Sequence, residues 1–166
     1  LIINWENPSK AVASDKSELS DVHTGSWFHN TRKKMCTELN HALSPIIFAC
    51  DRAHCDEGGK SRLSLEPLLF TLAIIPEALR VHEWAWRPLG YLNNLHLAPS
   101  SEIGARLKGQ NIRNTHRMLR VILSGVKDIQ TNGGITFKFP QSQADIILKL
   151  PIAFVIGDCK GHDVLC

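Results

Sequence analysis

A chain of 166 residues, 43% hydrophobic and 21% charged, can bury a core and has the balance of one ordinary globular domain. A net charge of only +3 gives weak support for a polyanion partner, and no apolar run reaches the roughly 18 residues that span a bilayer. Five cysteines (Cys36, Cys50, Cys55, Cys159 and Cys166) in no disulfide-framework spacing point to a reducing, intracellular compartment.

The opening LIINWENPSK lacks a signal peptide's charged start and long apolar stretch, and residues 1–25 are polar and Ser-rich, as in a flexible arm or linker. A helix is expected from Ser26, with Trp27, Thr31, Met35, Leu39 and Leu43 recurring every fourth residue as its apolar face. Pro45 ends it and opens Ile46–Cys50, a fully buried type of strand. After the turn at residues 56–60, residues 65–75 return as a second apolar strand, with Pro67 at an entrance or edge position. Residues 76–86 read as a loop or short helix, and WRPLGYL (86–92) as a short third strand.

A helical pattern starts at Ser101 and is carried from Asn111 by Ile112, Thr115, Leu119, Ile122, Val126 and Ile129, until Asn132-Gly133-Gly134 stops it. Ile135, Phe137 and Phe139 alternate with polar residues, and 144–150 follows the turn at 140–142, which makes a hairpin. Residues 152–157 form the last strand. The predicted fold class is α/β. Three initial strands, a crossover helix and a parallel fourth strand match the start of a ribonuclease H-like mixed sheet, with the hairpin as an insertion. With Leu first and Cys166 last, the chain reads as a truncated piece of that core, residues 26–166 behind the arm.

Two strands of this scheme run straight into an aspartate, PIIFACD at Asp51 and PIAFVIGD at Asp158. Acids at the carboxyl ends of buried strands lie at a sheet rim, where α/β folds bind ligands. Alone, each is an ordinary turn-forming Asp. Side by side, the pair supplies the oxygen ligands that Mg2+ takes in phosphoryl-transfer sites. Such sites normally add a third carboxylate. The long helix has no acid between Ile103 and Lys127, which leaves Glu66, Asp163 or a residue beyond Cys166.

Arg113, Arg117 and Arg120 are spaced to line one face of that helix, either as phosphate contacts or as a solvated basic face. Cys159, His162 and Cys166 give C-x2-H-x3-C, three of the four ligands a structural zinc would need. The motif at 21–27, DVHTGSW, suggests no mechanism.

The stretch SPIIFACDRAHCDEGGKSRLSLEPLLFTLAIIPEALRVHEWAWRPLGYL resembles the catalytic core of the Plavaka-like transposases, within the Kyakuja-Dileera-Zisupton group of DNA transposons. The segment AFVIGDCKGHDVLC is similar to that group's second acidic block, and the likeness extends over roughly residues 21–166. It implies a ribonuclease H-like nuclease that cuts and joins DNA with Mg2+ or Mn2+ in the nucleus, as an oligomer in some intact forms. Asp51 would match the first acid and Asp158 the second, with the third acid unmatched. One departure is Ala53, two places after the first acid, where the D-x-T style of family members carries a hydroxyl. It leaves open a catalytically dead or recruited DNA- or protein-binding module.

Overall fold

The computed structural model describes residues 21–50, 53–54, 63–95, 102–138 and 145–157. Among these, α1 (Ser26–Met35) follows a short 3-10 turn at Val22–Thr24 and leads into β1 (His41–Leu43) and β2 (Ile46–Cys50). Next come β3 (Ala53–His54), β4 (Leu63–Leu72), α2 (Glu77–Arg80), a 3-10 turn at Glu83–Ala85 and β5 (Arg87–Leu95). The long helical stretch is α3 (Glu102–Ile122) and α4 (Ser124–Thr131), and β6 (Ile135–Lys138), β7 (Asp145–Lys149) and β8 (Ile152–Gly157) follow.

The result is a mixed α/β chain with two mixed sheets. One has the order β1-β7-β6, with β1 parallel and β6 antiparallel to β7. In the other, β4 pairs with β5 on one side and with β3 and β2 on the other, and β8 lies next to β2. Three expected strands, the long helix and the last strand therefore occur in the expected chain order, with β8 beside β2. No helix of the described residues is long and apolar enough to cross a membrane.

The chain divides into two compact units. Unit 1 comprises 1–47, 71–86 and 128–153, and unit 2 comprises 48–70, 87–127 and 154–166. In unit 1, Phe28, Leu43, Ile46, Ile47, Ala73 and Ala85 are buried. Unit 2 buries Phe48, Cys50, Leu68 and Leu92, and Ile122 of α3 lies directly against Gly90 of β5.

Several sequence expectations are corrected. The first helix stops at Met35, and Leu43 belongs to a strand rather than to the helix face. Its buried anchor is Phe28, while Trp27 is 41% exposed and Leu39 is fully exposed. Fourfold spacing overstates a helix when the pattern continues into the next element, because a strand residue can fall on the count by chance. Pro67 lies inside β4, which has partners on both sides; its β5 pairing shifts register between Leu68 and Leu69, the kind of irregularity that accommodates proline. Residues 21–25, placed in the arm on composition, form a capped 3-10 turn.

The hairpin reading of β6 and β7 holds, and β1 joins it as an unforeseen third strand. Gly133 and Gly134 end α4 with φ of +80° and +124°. A Cβ on Gly134 would stand 2.5 Å from the Leu148 carbonyl oxygen and 2.9 Å from the Ile147 side chain. Gly134→Ala should therefore destabilise the chain by roughly 2–3 kcal/mol, read as a lowered urea midpoint.

Candidate metal centre and nucleic-acid surface

Asp51, Asp158, Cys159, His162, Asp163 and Cys166 lie outside the described residues. Upstream of the two aspartates, β1 and β7 run parallel. His41 pairs with Ile147 and Leu43 with Lys149, and Asn40 accepts from the Ile147 N–H at 2.9 Å. The same parallel ladder continues where the Ser44 N–H donates to the Lys149 carbonyl and the Ile46 N–H to the Pro151 carbonyl, both at 2.8 Å.

At the far end, a Cβ on Gly157 would come within 3.1 Å of the Cys50 carbonyl oxygen. Glycine at 157 thus permits close approach between the two strand ends. Cys50 and Gly157 immediately precede Asp51 and Asp158. Among the described residues, no group of His, Cys, Asp and Glu is placed to hold a metal ion.

Glu66, a sequence candidate for the third acid, is buried at 6% exposure on β4 opposite Leu92. The next pair on that face is Leu68 with Gly90, the glycine against which Ile122 of α3 rests. Glu66 is therefore part of the interior between β4, β5 and α3.

The three helix arginines are placed as their spacing predicts. Arg113, Arg117 and Arg120 are all exposed, whereas Thr115 is buried and Leu119 and Ile122 are half-buried. At 100° per residue the arginines fall within one narrow arc, opposite Thr115 and Ile122. Ile112 departs from the expected stripe, at 37% exposure. Burial pushes the Cys36 thiol up from its ordinary value, against the pull of the Arg32 and Lys149 cations.

Sequence reasoning missed an ionic hub at DVHTGSW. The Asp21 carboxylate accepts from the Val22 N–H at 2.7 Å and from the Glu77 N–H at 3.1 Å, which ties the 3-10 turn to the first turn of α2. It also pairs with the Arg80 guanidinium at 2.5 Å, their side chains 9% and 12% exposed. Arg80 donates further to the carbonyls of Ala73 and Ile75, at 3.1 and 2.8 Å, and its own carbonyl accepts from the Trp86 indole N–H at 2.7 Å. The one local signal was Asp21 with Thr24 three residues on, a capping pattern.

Comparison with known families gives the class as transposase: the Plavaka transposase model matches residues 5–160. The chain belongs to the Plavaka transposase family. No curated protein and no solved structure matches it.

Proposed function

We propose that the chain carries part of a ribonuclease H-like core which, in the intact transposase, cuts and joins DNA with Mg2+ or Mn2+. The observation that supports this best is the parallel run of β2 and β8, which brings Cys50 and Gly157 together one residue before each aspartate. The sheet neighbours β5-β4-β2-β8 also follow the strand order expected for such a core.

On this reading Asp51 and Asp158 hold the cation through oxygen, and a third carboxylate other than the buried Glu66 completes the set. Divalent ions at such a site stabilise the attacking and leaving oxygens of a phosphodiester exchange.

Arg113, Arg117 and Arg120 serve as backbone-phosphate contacts that position DNA without reading its sequence. A zinc at Cys159, His162 and Cys166 needs a fourth ligand, and nuclear location and oligomerisation belong to the intact protein. A second reading, a catalytically dead or recruited binding module, is favoured by Ala53, which lacks the hydroxyl of a D-x-T arrangement.

Mn2+ titration of the full chain, followed by electron paramagnetic resonance, separates the two readings. Wild type should bind the ion, and Asp51→Asn and Asp158→Asn should each weaken that binding. Equal affinity in all three proteins removes both aspartates from the metal site and leaves the binding-module reading.

A further inference from the structure

The exposed residues of α1 form a second feature, in unit 1, that the arginines of α3 do not account for. Ser26, Trp27, Asn30, Lys33 and Lys34 are exposed, while Phe28 is buried and Thr31, Arg32 and Met35 are half-buried. At 100° per residue the exposed set occupies one arc of about 120°. The opposite side of the helix is anchored by Phe28, 7% exposed.

The charge on this face is one-sided. No acid occurs between Asp21 and Glu38. Asp21 is engaged by Arg80, and Glu38 lies 3.9 Å from His41. Lysines in a last helical turn complement the helix dipole and need no ligand for that. The dipole does not explain an exposed indole and an amide on the same face, about two turns long.

We propose that the Trp27, Asn30, Lys33 and Lys34 face of α1 is a second DNA-contact surface, seating the sugar-phosphate backbone of a duplex. Lys33 and Lys34 neutralise phosphates, Asn30 donates from its amide, and the Trp27 indole packs on the deoxyribose. The inference rests on the DNA-processing reading above but adds a surface of its own.

The test is anisotropy of a labelled duplex of arbitrary sequence with the full chain, titrated between about 50 and 200 mM salt. Lys33→Gln/Lys34→Gln should reduce the slope of log K against log salt by about two and weaken binding roughly tenfold near 0.1 M salt. Lys33→Arg/Lys34→Arg should keep the wild-type slope, and Trp27→Leu should lower affinity at unchanged slope. Far-ultraviolet circular dichroism checks that each variant keeps its helix content. Wild-type binding with the same slope in Lys33→Gln/Lys34→Gln overturns this inference and leaves the arginine face of α3 intact. No wild-type binding at all overturns both. Equal competition by polyglutamate and by unlabelled duplex also overturns it, because the surface is then a general polyanion binder.

Discussion

Arg80→Ala should cost the chain about 3–5 kcal/mol, the expected loss when one partner of a buried ion pair is removed and the other stays behind. The size follows from what the guanidinium holds. It pairs with Asp21 at 2.5 Å and caps the carbonyls of Ala73 and Ile75. Without it, a carboxylate and two carbonyls lose their shared donor in a site where both side chains are 12% exposed or less. Asp21→Ala should cost less, since Arg80 keeps its two carbonyl acceptors. The Asp21→Ala/Arg80→Ala double variant should then lose less than the sum of the singles, the signature of direct coupling. Urea denaturation of the four proteins measures this. Additive losses would show that the two side chains act independently.

The second large effect concerns catalysis. In an active full-length relative, asparagine at the position of Asp158 should abolish strand cleavage while leaving DNA binding in place. A residue that merely supports a metal ligand is worth about 10–100-fold, so replacing a ligand itself should exceed about 100-fold. Binding is spared because the contacts assigned to Arg113, Arg117 and Arg120 carry phosphate affinity independently of the metal. Cleavage at the wild-type rate would take Asp158 out of the metal site. Loss of binding together with cleavage would mean that the substitution damages the fold.

What was legible in the sequence was what uninterrupted apolar runs and strong breakers encode. Ile46–Cys50 is five apolar residues behind a proline, and β8 is a similar run, so both were read with the observed limits. The end of α4 was visible in Gly133 and Gly134, which alone among the described residues take positive φ. The arc of Arg113, Arg117 and Arg120 followed from helical period once the helix was recognised.

What stayed hidden depends on partners distant in sequence. β1 is three residues long and pairs with β7, so nothing local marks it as a strand. The early stop of α1 has neither Gly nor Pro at Cys36, and the apolar Leu39 and Leu43 beyond it carried the expected helix too far. Trp27 looked like core because large aromatics usually are; only the packing of Phe28 shows which face turns inward. Arg80 gave no hint of its partner, because an ion pair joining positions 21 and 80 leaves no periodic trace.

The pairing of β1 with β7 and of β2 with β8 also governs how the molecule is made. His41 must wait for Ile147, a separation that places the chain among slow, late-closing topologies rather than those built from local contacts. During synthesis the apolar Ile46–Cys50 run leaves the ribosome about a hundred residues before its neighbour β8 (Ile152–Gly157), and it is sheltered on that side only once β8 has emerged. A premature stop ahead of Asp145 would spare Asp51 and the whole of α3, yet it would strip a strand from each sheet at once.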